Sequence, residues 1–279
     1  TGGNTGIGFH TAQALLRAGH KVVLGKSCRN QERAKAAIKE LVADETVYAD
    51  QVHLLPLDLG SLASVREFAK QFRAQFGRLD VLVNNAGVMD IPYACTVDGF
   101  ELQFAVNYLG PFLLTNLLLD LIRSSPAGRI VNVSSCAQFG VSEVDTRIAI
   151  DPKAYSRLGN YGASKLAMVM FTIALKERLA GTPATVSVLH PGVVATNLFD
   201  GNPIMRMGMG LLQTLRVART PQQGAVTTVY LALHPDVSQT NSVYFVNEQP
   251  AAHHPAADVK AAREDLWRWS AQSVGLFSR

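Results

Sequence analysis

Short apolar runs alternate with amphipathic stretches along the whole of this chain. Lys21–Leu24, Val52–Pro56, Leu79–Val83, Arg129–Val133, Thr185–Leu189 and Val243–Val246 are brief, rich in Val, Leu and Ile, and read as strands. Between them, Phe9–Ala18, Gln31–Val42, Ser61–Phe76, a long stretch within Val97–Ile122, Tyr161–Leu179, Gln222–Leu233 and Val259–Gln272 read as helices. Ser61 is placed to cap the third of these. Strands that are apolar almost throughout, separated by helices, predict a parallel sheet covered on both faces. No repeat, low-complexity tract or linker divides the chain, so residues 1–279 read as one doubly wound α/β domain. Such a sheet calls for a central strand running directly into Thr1. The chain starts without a Met, inside the turn that strand would lead to, so the first strand is expected to be truncated and a further segment to precede it.

Composition narrows the class. The 279 residues are 48% hydrophobic and 17% charged, which suits a well-cored globular protein and excludes a disordered one. The net charge of +4 is mild and the basic residues are scattered, so no nucleic-acid partner is expected. Cys28, Cys95 and Cys136 are odd in number and far apart, which predicts no metal site and a reducing, intracellular compartment. His253 and His254 lie in a Pro/Ala turn and read as solvated. The apolar stretch Phe112–Ile122 is too short to span a bilayer and contains Asn116 and Asp120. A cytoplasmic location is expected, or a membrane-associated one if a preceding segment carries an anchor. Membrane attachment itself and homo-oligomerisation stay open.

Candidate chemistry begins with Tyr161 and Lys165, four residues apart and so on one face of a helix. A phenol is a poor acid or base at neutral pH, and a neighbouring cation is expected to lower its pKa and fit it for proton transfer. Taken alone the pair is weak, since a helix tyrosine with a solvated lysine one turn on is the commoner case. The glycine-rich turn Thr1–Gly8 precedes a helix, where close backbone approach and unpaired N–H groups suit a pyrophosphate. After the next strand, Gly25–Asn30 holds Lys26 and Arg29 and no acidic residue, favouring a 2′-phosphate and hence NADP(H) over NAD(H). An ordinary basic loop is the other reading. Asp58-Leu59 follows the third strand, as a contact to adenine or as a turn, and Asn84-Asn85-Ala86-Gly87 follows the fourth.

Together and in this order, Thr1–Gly8, Asp58, Asn84–Gly87, Asn107, Ser134-Ser135, Tyr161-x-x-x-Lys165 and Pro191-Gly192-x-x-x-Thr196 resemble the short-chain dehydrogenase/reductase family along essentially the whole chain. Cys28-Arg29-Asn30, Val106–Phe112, Gln223-Gly224-Ala225, Tyr244-Phe245 and Leu266-Trp267 resemble its branch of retinol dehydrogenases, the WW-domain oxidoreductase and protochlorophyllide reductase. The resemblance implies a Rossmann-type fold and a catalytic set of Asn107, Ser135, Tyr161 and Lys165. Tyr161 would exchange the proton and Lys165 would lower its pKa and hold the nicotinamide ribose. Ser135 would hydrogen-bond the substrate oxygen, and Asn107 would bend its helix and hold a water on the proton path. By the same resemblance Gly2, Asn4, Thr5, Gly6, Ile7 and Gly8, then Arg29, Asp58, Leu59, Asn85, Ala86 and Gly87, bind the cofactor. Pro191, Gly192, Val194 and Thr196 would fix its nicotinamide end.

Three features depart from the family pattern: the absent first strand, two extra residues in Gly25–Cys28 before Arg29, and a long insert, Ala137–Asn160. The insert also occurs in the retinol-dehydrogenase-like branch and would form one wall of the substrate pocket. Asn197–Val217, with Ile204, Met205, Met207, Met209, Leu211 and Leu212, would form the other wall as a lid, or pack on the core as a helix, or face a membrane. Residues 250–279 would form a C-terminal extension. The activity implied is interconversion of a hydrophobic alcohol with its aldehyde or ketone, on a small lipophilic substrate. A non-catalytic NADP(H)-binding module and a sugar-nucleotide epimerase are the rival readings.

Overall fold

The structure, a computed structural model, describes residues 1–26, 31–43, 46–195, 198 and 218–276. The strands are β1 (Val22–Lys26), β2 (Val52–Pro56), β3 (Val81–Asn84), β4 (Arg129–Val133), β5 (Thr185–His190), β6 (Tyr244–Val246) and β7 (Gln249–Pro250). The longer helices are α1 (Gly6–Arg17), α2 (Gln31–Leu41), α3 (Leu62–Gln75), α4 (Leu102–Ser124), α5 (Arg157–Arg178), α6 (Pro221–Leu233) and α7 (Lys260–Ser273). All but β7, which the sequence pattern does not predict, lie where the apolar pattern predicts them, within a few residues. The starts follow from capping chemistry. Ser61 accepts a hydrogen bond from the Ser64 N–H at 3.3 Å, and Ser156 does the same for Gly159. Thr220 and Gln223 form a reciprocal capping box ahead of α6, with Pro221 at its first position.

β3, β4, β5 and β6 pair in that order and in parallel, and β7 closes the edge antiparallel. β1 and β2 form a separate parallel pair. Helices cover both faces, as the apolar strands demand. One core joins α3, α4, α5 and α7 to the sheet through Phe72, Phe104, Leu113, Leu166 and Phe171. A second sets Leu231 of α6 against Val131, Val133, Leu189 and Phe245, and a third packs Phe9 and Leu16 on Leu24, Ala37 and Leu41. Between β1 and β3 no ladder forms. An apolar cavity of about 250 Å³ lies there, lined by Val22–Gly25 on one side and Val81–Val83 on the other, with Phe72, Leu114 and Leu118 between them.

α4 is one apolar helix of 23 residues, longer than the Phe112–Ile122 stretch suggested. Its length and composition would let it cross a bilayer, but 67% of its apolar window is buried inside the fold, as a core helix requires. α7 seals the outer side of α4 and α5. Trp267 packs on Phe112 and Phe171 with ring centroids 5.1 and 5.6 Å away, and the Arg178 guanidinium lies 3.9 Å from its ring. Arg178 is also paired with Glu264, and the buried Arg263 with Glu177. His253 is not simply solvated but bonded to Asp258 at 2.9 Å, while His254 caps a helical turn through the Ala256 N–H.

Because α7 covers aromatic core, Trp267→Ala is expected to cost about 3 kcal/mol, the low end for such truncations since the indole is half-buried. The fall in the urea unfolding midpoint measures it; an unchanged midpoint would show that α7 does not stabilise the fold.

Candidate active site

The C-terminal ends of β3, β4 and β5 and the N-terminus of α1 converge on a cavity of about 850 Å³. Gly2, Asn4, Thr5, Gly6 and Ile7 line one end of it, and Tyr161, Lys165, Ser135 and Pro191–Val194 line the other, with Asn85–Gly87 between. The glycine turn is held by main-chain and side-chain bonds to the end of β3. Thr1 Oγ1 accepts from the N–H groups of Asn85 and Ala86, each at 3.0 Å, and Asn85 Nδ2 donates to the Thr1 carbonyl at 3.0 Å. Gly8 does not face the cavity. A Cβ there would stand 2.2 Å from the Gly2 carbonyl oxygen and 2.5 Å from Asn85 Nδ2, so only glycine lets α1 start this close to the turn. The first-turn N–H groups of α1 are thereby presented to the cavity, an arrangement that fits a dinucleotide pyrophosphate.

Tyr161 and Lys165 lie one turn apart on α5, both buried at the cavity wall. Lys165 Nζ stands 5.6 Å from the Tyr161 ring centroid and donates to the Val133 carbonyl at 3.0 Å. Burial pushes the Tyr161 phenol up to about 12, against a weaker opposite pull from the Ser135 hydroxyl. Burial also brings the Lys165 ammonium down to about 8. Loss of hydration on burial is thus the main influence on the phenol, and the ammonium is held on a main-chain carbonyl.

The two serines make different contacts. Ser134 Oγ is spent on the Lys165 carbonyl at 2.8 Å, which ties α5 to the end of β4. Ser135 lines the cavity, its Oγ accepts the Ala137 N–H at 3.2 Å, and its hydroxyl interacts with the Tyr161 phenol. Asn107 sits in a π-helical turn, Ala105–Leu109, so the expected bend is present. Its amide is engaged by protein groups. Oδ1 accepts from Val88 N at 2.8 Å, and Nδ2 donates to the Val88 carbonyl and to Ser164 Oγ at 2.9 and 3.1 Å. The side chain therefore locks the loop after β3, and it does not line the cavity.

Asp58 and Leu59 are not brought to the cavity either. Asp58 Oδ1 accepts from Gly60 N at 2.9 Å, the turn role that its position also allowed, and Leu59 is buried against Gly110. Val194 lines the cavity and pairs with Arg219 across an isolated bridge. Arg29 and Thr196, and all of 197–217 except Leu198, lie outside the described residues. The insert does form a wall: Ala137, Gly140, Leu158 and Gly159 face the cavity, and its base is anchored where Asn160 donates to the buried Glu101 carboxylate at 3.2 Å. Met89, Cys136 and His190 line the cavity without having been expected to. Only the adjacency of His190 to Pro191-Gly192 could have drawn attention to it.

Comparison with known proteins agrees with this geometry. Residues 1–204 match the family described as short chain dehydrogenase. The chain is 42% identical to retinol dehydrogenase 14 of Mus musculus, over 99% of this chain and 85% of that protein. It is 37% identical to human polyprenol dehydrogenase, over 99% of this chain and 84% of that one. A crystal structure of a protein from Mycobacterium paratuberculosis superposes with a TM-score of 0.74 at 31% identity, covering 98% of this chain and 91% of the other. A Burkholderia cenocepacia short chain dehydrogenase in complex with NADP shares the fold at 23% identity and a TM-score of 0.65, covering 86% and 91%.

Gly8→Ala is expected to destabilise the chain by about 1–3 kcal/mol through overpacking of the turn. It should also weaken dinucleotide binding, read by fluorescence titration with NADPH. Wild-type affinity in a folded Gly8→Ala protein would show that the turn does not shape the binding site.

Proposed function

The chain belongs to the short-chain dehydrogenase family, related to the retinol dehydrogenases, and on that premise we propose that it interconverts a hydrophobic alcohol with its aldehyde or ketone, using NADP(H). The observation that carries this reading is the convergence of Tyr161, Lys165 and Ser135 on one cavity whose other end is the glycine turn and the start of α1. The wall around the reacting end is apolar, with Met89, Ala137, Leu158, Val193 and Leu198, which suits a lipophilic substrate. Relatives named as retinol and polyprenol dehydrogenases point the same way.

The residues present fit the cofactor. Gly2 and Asn4–Ile7 would hold the pyrophosphate at the start of α1, Lys165 the nicotinamide ribose, and Pro191, Gly192 and Val194 the nicotinamide end, with Thr196 assigned there by the sequence alone. Arg29, in a stretch of sequence with no acidic residue, would take the 2′-phosphate, which is the basis for preferring NADP(H). When bound, the cofactor supplies the hydride.

In reduction the Ser135 hydroxyl donates to the substrate carbonyl oxygen and orients it against Tyr161. Tyr161 gives its proton to that oxygen as negative charge develops there. The Lys165 ammonium, on the same helix face, offsets the charge left on the phenolate. At neutral pH the phenol is protonated, as proton donation in reduction requires. Oxidation of the alcohol needs the opposite form, the phenolate.

Tyr161→Phe should abolish turnover of retinal-like aldehydes while NADPH binding stays measurable. Full activity in that variant would sink the mechanism, and tight NADPH binding without wild-type turnover on any carbonyl would favour a non-catalytic module. The pH dependence follows from the two shifts. Reduction should be level near neutrality, where phenol and ammonium are both protonated, and should decline as pH rises through about 8 and Lys165 loses its charge. Oxidation should rise with pH as phenolate forms. A profile of kcat/KM in both directions tests this, and a reduction rate that climbs with pH would contradict it.

A further inference from the structure

β4 and β5 run in parallel register with Val133 opposite Leu189, and their last main-chain rung is the Ser134 N–H on the Leu189 carbonyl at 2.8 Å. Along a strand, N–H groups facing one neighbour recur every second residue, so Cys136 carries the next donor toward β5. No main-chain acceptor continues the ladder there. β5 ends at His190, the chain turns through Gly192 at a φ of +88°, and the Pro191 carbonyl accepts from Arg219 Nη1 at 3.4 Å. The Cys136 N–H instead donates to Nδ1 of His190 at 3.3 Å.

We infer that His190 is a positioning residue, whose imidazole supplies the missing rung between the Ser135–Cys136 corner and the Pro191–Gly192 turn and so sets the Ser135 hydroxyl against Tyr161. This rests on the function proposed above for the same cavity, which His190 also lines. The rung requires a neutral ring, since a protonated imidazole offers two donors and no acceptor. Burial and then the Arg219 charge hold His190 down at about 4, so the acceptor persists at neutral pH. With Nδ1 accepting, the ring's own proton is on Nε2. Arg219 completes the arrangement from outside. Its main chain brackets the turn through the Val193 carbonyl at 2.8 Å and the Ala195 N–H at 3.0 Å.

His190→Ala and His190→Asn separate this role from general packing, because an Asn carbonyl can stand in for Nδ1 and an Ala methyl cannot. His190→Ala is expected to lower kcat for a carbonyl substrate by on the order of tenfold or more, the scale for a small misplacement of a reacting group. Its NADPH affinity should stay close to wild type, and His190→Asn should recover most of the kcat. Wild-type kcat in His190→Ala, or equal impairment of both variants, would overturn the inference and leave the proposed function standing. If the wild-type protein turns over no carbonyl, the proposed function fails, and ¹⁵N NMR of the His190 ring still decides the contact. A proton on Nε2 and none on Nδ1 at neutral pH supports the rung, and a proton on Nδ1 overturns it.

Discussion

The site is organised around the burial of one ammonium group. Lys165 is a long cationic side chain in the interior of an apolar helix, and a buried charge without partners is costly enough to be neutralised or expelled. Its Nζ is held by the Val133 carbonyl at the end of β4, and its own main-chain carbonyl by Ser134 one residue further on. Those two contacts fix α5 against the end of β4 in one register. They thereby decide where Tyr161, one turn earlier, and Ser135, one residue later, meet.

From that contact the other parts of the cavity take their places. The π-helical turn in α4 directs Asn107 onto Val88 and Ser164, tying the loop after β3 to the helix that carries Tyr161 and Lys165. Asn85 and Thr1 join the same loop to the glycine turn. A chain of short polar contacts thus runs from the start of α1 to α5. Around it the supports are apolar: α7 seals α4 and α5 with Trp267, and the insert is pinned by Asn160 on Glu101.

Burial works on the phenol and the ammonium in opposite senses, raising one and lowering the other toward their uncharged forms. The ammonium stands on the same helix face as the phenol, 5.6 Å from its ring centroid.

Element order, the parallel sheet, the helix cap at Ser61, the Tyr161/Lys165 spacing and the glycine turn were legible in the sequence, and the resemblance to the family added Ser135 to that set. The local readings depend on pattern within one segment: a continuous apolar run, a helical period, a cap next to a helix start, two residues one turn apart. The Tyr161 pKa, the engagement of the Asn107 amide, the turn role of Asp58 and the contact between His190 and Cys136 were not legible. These depend on which distant groups surround a side chain and on how far water is excluded from it. Local pattern chooses the elements and puts the reactive residue types on the right faces, whereas desolvation and long-range hydrogen-bond partners exist only once the sheet and its helices have closed, and those were for the tertiary structure to decide.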